Sequence, residues 1–318
     1  MSMRLAIIIS SRLGWPVLQD LTAQGVVAGV AVPASGRDES AELGELLAQG
    51  GTTPQWLTQA GLADELTAWV AELQPTAVLV LMFPWRIPAA VLSLPPQGFI
   101  NFHFAALPGY RGPEPTFWQI SRGEAAGAVT AHRMEAGFDT GPVLVATPVP
   151  IGPHDTHGIH RAQLAMAAVG VGRQLLAGLR GETPLPDQPQ DEAAARYWPR
   201  PALADLCIDW QAPAETISRL VRAANPWNRG ALATVRGQPL RVLSVLVRPG
   251  TVPAPPGTIV LAAPDQGLLV TCGAGQLLQL DIVALDEGYF TGAQLAGMGV
   301  QAGEVLGSLL QTPAPQPA

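Results

Sequence analysis

Residues 5–9, 26–32 and 77–82 are apolar at every position, where a strand with one wet face would alternate. Such runs fit strands buried on both faces, as in parallel sheets covered by helices. Segments 16–24, 39–49 and 62–73 show the helical spacing of apolar residues, the first closed by Gly25. This alternation predicts an α/β fold, a doubly wound and mostly parallel sheet that binds ligands beyond the carboxyl ends of its strands. Phe99-Ile-Asn-Phe-His103 predicts a further short strand with a polar end, and 129–134 and 143–150 predict two more. Residues 157–179 read as one long helix packed back on the sheet.

Beyond residue 183 the periodicity stops, and Pro, Gln, Asp, Glu and Ala dominate. That change predicts a linker at 184–206 between a first domain at 1–183 and a second at 207–310. The second domain opens with a short helix at 214–223. Five brief apolar runs follow, at 231–235, 240–247, 257–262, 268–271 and 277–284, and predict a small β-barrel. The proline-bearing tail at 311–318 reads as disordered.

All 18 basic residues are arginine, and the formal net charge is −7. A lysine Schiff base and a phosphate-binding lysine are thereby excluded, and a large electrostatic footprint for nucleic acid is disfavoured. Cys207 and Cys272 stand far apart without ligand spacing, so neither a disulfide framework nor a zinc site is expected. His154, His157 and His160 recur at every third position, but they straddle a helix start that Asp155 or Thr156 caps, and no metal is assigned to them. The uninterrupted apolar stretches are too short to span a bilayer, and the N-terminus lacks a secretory run, which points to a cytoplasmic protein with no membrane partner.

The chemistry concentrates in residues 99–112 and 135–141. On a strand, Asn101 and His103 point to the same side because the period is two. Pro108, Gly109 and Gly112 predict a bent loop, and Gly137-Phe-Asp-Thr-Gly141 a second loop that brings Asp139 against His103. An amide, an imidazole and a carboxylate suit acyl transfer between nitrogens, which needs donors for a developing oxyanion and a route for protons. On spacing alone, a core histidine and a turn-capping aspartate account for the same residues equally well.

Asn101-x-His103, Leu107-Pro108 with Tyr110-Arg-Gly112, and Asp139-Thr-Gly141 together resemble the signature of the formyltetrahydrofolate-dependent formyltransferases. Pro88, Asp209-Trp210 and Arg222-Ala-Ala-Asn-Pro-Trp227 extend the likeness to the methionyl-tRNA branch and its OB-like C-terminal domain. The resemblance implies Asn101, His103 and Asp139 as catalytic residues and 10-formyltetrahydrofolate as formyl donor. It implies a folate pocket at Met82, Phe83, Ile87, Ala136, Gly137 and Phe138. Tyr110, Arg111, Gly112, Glu114 and His132 are the candidates for the acceptor side.

The acceptor signals diverge from the tRNA branch. Ala105-Ala-Leu-Pro108 stands where that branch reads Ser-Leu-Leu-Pro, Pro113 to Ile120 looks like the sugar and small-molecule enzymes, and 33–40 lacks a basic insertion. Arginines 219 to 248 are outnumbered by acidic residues after the linker. The expected acceptor is therefore a small-molecule amine, such as a sugar nucleotide, with methionyl-tRNA as the alternative. Hydrolysis of the folate formyl group and a non-catalytic folate-binding module are the remaining rivals.

Overall fold

The computed structural model describes residues 3–35 and 38–309, so the tail at 311–318 and part of the 33–40 loop lie outside the described residues. The chain divides into two compact units. The first is built from residues up to Pro115, from Ala126–Pro150 and from Arg161–Pro199. The second is built from Thr116–Ala125, Ile151–His160 and the chain from Arg200 onward.

In the first unit, strands β1 (Leu5–Ile9), β2 (Val27–Pro33), β3 (Gln55–Leu57), β4 (Ala77–Leu81), β5 (Phe99–His103), β6 (Ala126–Arg133) and β7 (Val143–Pro150) make one sheet, in the order β3-β2-β1-β4-β5-β6-β7. The first five are parallel; β6 and β7 join as an antiparallel ribbon. The expected open, mostly parallel sheet is observed. Strand β3 was not anticipated, because three residues carry too little pattern to read. Its helices are α1 (Trp15–Ala23), α2 (Asp38–Gln49), α3 (Leu62–Leu73), α4 (Ala89–Leu92) and most of α6 (His157–Leu179), while α5 (Pro115–Arg122) is counted into the second unit.

Two cores flank the sheet. Ile7, Leu79, Ile100 and Phe102 point to one side, where Val17 and Leu21 of α1 and Leu164, Val171 and Leu175 of α6 cover them. Ile8, Val78, Val80 and Phe99 point to the other, under Leu66 and Trp69 of α3 and Val91 of α4. By alternation Asn101 and His103 share the side of Phe99. Opposite them on β6 stand His132 and Thr130. That corner of the second side is thus polar, whereas the same strands are apolar on the first.

Residues 184–199, expected as part of a linker, are counted into the first unit. Gln188 pairs with Val143, and Arg111 with Tyr197, as isolated bridges. The segment carries no apolar period because backbone and polar side-chain bonds fix it.

The second unit contains α7 (Leu203–Leu206), α8 (Ala214–Ala224), β8 (Ala231–Val235), β9 (Gln238–Thr251), β10 (Ile259–Ala263), β11 (Gly267–Thr271), β12 (Gln276–Leu285), β13 (Gly288–Thr291) and α9 (Gly292–Gly297). Its strands are antiparallel in the order β10-β11-β12-β9-β8, with β13 on β12. These strands form a six-stranded sheet, and among the described residues no ladder closes it into the small OB-like barrel expected from five runs. Its two ends, at Thr234 and Thr258, meet Gly307 and Val305 only through isolated bridges.

Helix α6 is, among the described residues, long and apolar enough by composition to cross a bilayer. Here it is a core helix: Leu164 is fully buried, while Met166 is 67% exposed. Leu164→Ala is therefore expected to cost about 2–5 kcal/mol. Met166→Ala should stay within about 0.5 kcal/mol, both read from urea unfolding midpoints.

Candidate active site

The strand register places four polar side chains together. Asn101 pairs with His132 across β5 and β6, and His103 with Thr130. Cross-strand neighbours on one face lie within side-chain reach, and Asn101 Nδ2 stands 3.1 Å from His132 Nε2. His132 Nδ1 donates to the Arg133 carbonyl at 2.8 Å, because a carbonyl only accepts. Its Nε2 faces the Asn101 amide, and that amide keeps a second N–H. His103 Nε2 donates to the Tyr110 carbonyl at 2.6 Å. Thr130 Oγ1 donates to the Ala105 carbonyl, pinning the start of the loop that follows β5.

Asp139 arrives from the turn between β6 and β7. That turn leaves β6 beside the start of β5, where Met134 N donates to the Phe99 carbonyl. It then runs back over the polar corner to set Asp139 Oδ1 at 3.5 Å from His103 Nδ1 and 3.7 Å from His132 Nε2. The other carboxylate oxygen accepts from the Gly112 amide at 3.0 Å. Asp139 adopts the left-handed φ of 56°, a conformation Asp tolerates better than most residues. Gly112 has φ +113°, and a Cβ there would fall 2.1 Å from the Trp198 carbonyl oxygen, so glycine is required.

Burial alone would raise the Asp139 pKa, but the charge of His103, the His132 hydrogen bond and the Gly112 amide together hold it well below the usual carboxylate range. The arrangement keeps a fixed anion beside two imidazoles.

The sequence anticipated Asn101, His103 and Asp139 as one set, and the structure brings them together. His132, read as an acceptor contact, lies inside this cluster and is 2% exposed. Arg111 is likewise taken: its guanidinium reaches Gln190 Oε1 from Nε and Nη2 at 3.2 and 3.0 Å and the Glu192 carboxylate from Nη1 and Nη2 at 3.0 and 2.6 Å. Such a side chain anchors its loop to the segment that carries Gln190 and Glu192. Glu114 is buried at 8% exposure, and Tyr110 stacks on Trp198 with ring centroids 5.6 Å apart. Gln190 and Glu192 were not foreseen, since they sit in a segment without periodicity. Their one sequence signal is polarity where a connecting segment is polar anyway.

The residues implied for a folate pocket fall into two edges. Met82, with φ 62°, and Phe83 follow the carboxyl end of β4. Ala136, Gly137 and Phe138 are exposed on the Asp139 turn, with Phe138 at 55%. The Arg86 guanidinium donates to the Ala136 carbonyl and ties the edges together. Ile87 is a core residue at 3% exposure, in one cluster with Val91 and Phe99. Among the described residues no cluster of His, Cys, Asp and Glu has a metal-binding arrangement.

Residues 4–169 match the family model described as formyl transferase, and 203–294 match the formyl transferase C-terminal domain. The chain belongs to the formyl transferase family. A methionyl-tRNA formyltransferase from Thiobacillus denitrificans is 36% identical over 246 residues, 77% of this chain and 78% of that protein. Among solved structures, the N-formyltransferase from Helicobacter canadensis in complex with folinic acid and dTDP-3-aminofucose aligns with TM-score 0.66 at 15% identity, covering 87% of this chain and 98% of the other. HypX from Aquifex aeolicus in complex with tetrahydrofolic acid aligns with TM-score 0.62 at 19% identity, over 95% of this chain and 49% of the other. Both structural likenesses concern the fold.

Because the folded pKa of Asp139 lies below that of the unfolded chain, its carboxylate stabilises the fold above the ordinary value of about 3.9 and loses that contribution as pH falls through the acid range. Asp139→Asn removes the titrating group. The Tm gap between wild type and Asp139→Asn should therefore hold from neutrality down to about pH 5 and narrow as pH falls through about 4 and below, measured by thermal melts.

Proposed function

We propose that this chain transfers a formyl group from 10-formyltetrahydrofolate to the amino group of methionyl-tRNA. The observation that carries the reading is the pairing of the assembled Asn101, His103 and Asp139 cluster with a match that runs into the C-terminal domain of the family. The 36% identity to a protein named methionyl-tRNA formyltransferase, over most of both chains, favours the tRNA acceptor over the small molecule expected from the sequence. Both substrates of this reading are cytoplasmic, and we place the protein there.

The donor supplies a formyl carbon bound to a nitrogen, activated for attack. Met82, Phe83, Ala136, Gly137 and Phe138, with the backbone at Ile87, would hold its ring. Asn101, through its second N–H, and His103 supply donors for charge developing on the formyl oxygen. As the acceptor nitrogen bonds to the formyl carbon, the carbon–nitrogen bond to the carrier breaks. The amine loses one proton and the departing nitrogen gains one. Asp139, held far below neutrality, is a poor proton acceptor there. It serves as the fixed anion that orients His103, and proton movement belongs to the imidazole. Delivering the Nε2 proton exchanges the Tyr110 carbonyl for substrate.

A second reading, a small amine such as an amino-sugar nucleotide, is favoured by Ala105-Ala-Leu-Pro108 and by residues 113–120. The test is formylation of charged initiator methionyl-tRNA and of an amino-sugar nucleotide with the folate donor, read by mass spectrometry. Turnover of the sugar but not the tRNA overturns the tRNA acceptor. His103→Ala and Asp139→Asn should each lower turnover by about 10²-fold or more. Binding of a folate analogue should stay within a few-fold. Near-normal turnover in either folded variant removes these residues from the mechanism.

A further inference from the structure

The two loops that meet in the Gly112 amide and the Asp139 carboxylate are also joined from outside by one side chain. Gln190 Nε2 donates to the Asp139 carbonyl at 2.8 Å and to the Gly141 carbonyl at 2.7 Å. Its Oε1 accepts from Nε and Nη2 of Arg111, the residue preceding Gly112. Both ends of one primary amide are thus used, one on each loop.

The segment that carries Gln190 is fastened on both sides. Gln188 exchanges backbone hydrogen bonds with Val143 at 2.8 and 2.9 Å, just past the Asp139 turn. Arg196 N donates to the Pro108 carbonyl at 3.1 Å, Trp198 N to the Arg111 carbonyl at 2.8 Å, and Trp198 Nε1 to the Gly109 carbonyl at 3.0 Å. Glu192 grips the Arg111 guanidinium in a bidentate pair, the geometry that fixes a planar fork most firmly. Gly141 completes the constraint, since a Cβ there would lie 2.0 Å from the Arg133 carbonyl oxygen. The turn can neither swell at Gly141 nor slide while Gln190 holds two of its carbonyls.

We propose that Gln190, held through Arg111 and Glu192, is a positioning residue that sets the Asp139 carboxylate against His103, so that the segment after α6 is a working part of the active site. The inference rests on the catalytic reading of Asp139 given above. Gln190 itself touches no reacting atom. It acts by removing the freedom of a turn whose central residue stands at a left-handed φ. Loss of that restraint lets the carboxylate drift from the Gly112 amide and from His103, and displacement of a positioned group by about 1 Å is worth up to about 10² in rate.

The test uses the full chain with Gln190→Ala and, as the variant that keeps the side-chain volume, Gln190→Met. Two measurements are made. In the first, kcat should fall about 10- to 100-fold in both variants while KM for the folate donor stays within about threefold. Placed in an Asp139→Asn background, the same changes should cost less than about twofold more, because the residue they position is already neutralised. In the second, which needs no acceptor, the Asp139 carboxyl carbon is followed by NMR in protein labelled at aspartate, with its signal assigned by loss in Asp139→Asn. Its titration should move up toward the ordinary value of about 3.9 in both variants. An unmoved titration together with wild-type kcat overturns the inference and leaves the catalytic reading intact. Full activity of Asp139→Asn overturns the catalytic reading instead. If methionyl-tRNA proves not to be the acceptor, the carboxyl titration alone decides for or against the clamp.

Discussion

A buried carboxylate with a backbone amide on one oxygen and an imidazole on the other is the constraint around which the first unit is arranged. Asp139 cannot be taken out of water without partners, because an unpaired buried charge costs several kcal/mol at least. The Gly112 amide and His103 supply them, with His132 at slightly longer range. Each partner then imposes its own demand: glycine at 112, a loop bent between 104 and 112, and a histidine at the end of β5.

That demand explains why the sheet changes character across its width. Strands β1 and β4 are buried at every position and serve only to pack. At β5 and β6 the same alternation that feeds Ile100, Phe102, Val129 and Ala131 into one core presents Asn101, His103, Thr130 and His132 on the other side. Helices α3 and α4 cover the apolar part of that side and leave the polar corner to loops. Loops can close over polar groups because their own backbone N–H and C=O are free to bond them, as the Tyr110 and Ala105 carbonyls do here.

The segment 184–199 shows how a stretch with no apolar pattern becomes fixed. It contributes bridges to Val143 and Arg111, an amide that spans two loops, and a stacked indole. None of these needs a hydrophobic face, so none leaves a periodic trace. Arg111 illustrates the same point from the other partner. A lone arginine in a glycine-rich loop reads as a substrate contact, and only its neighbours Gln190 and Glu192, about eighty residues away, turn it into an anchor.

The sequence by itself determined the parallel sheet and its helices, because strands buried on both faces write unbroken apolar runs, and amphipathic helices a period of 3.6, into local composition. It also determined the pairing of Asn101 with His103, since residues two apart on a strand must share a face. What the tertiary structure decided is who else stands there. The register of β5 against β6 put His132 beside Asn101, and the path of the 134–142 turn set Asp139 between two imidazoles. The strand order of the second unit belongs to the same class. Register, closure and long-range hydrogen bonds join residues tens of positions apart, and no local pattern in a single chain encodes a distance of that kind.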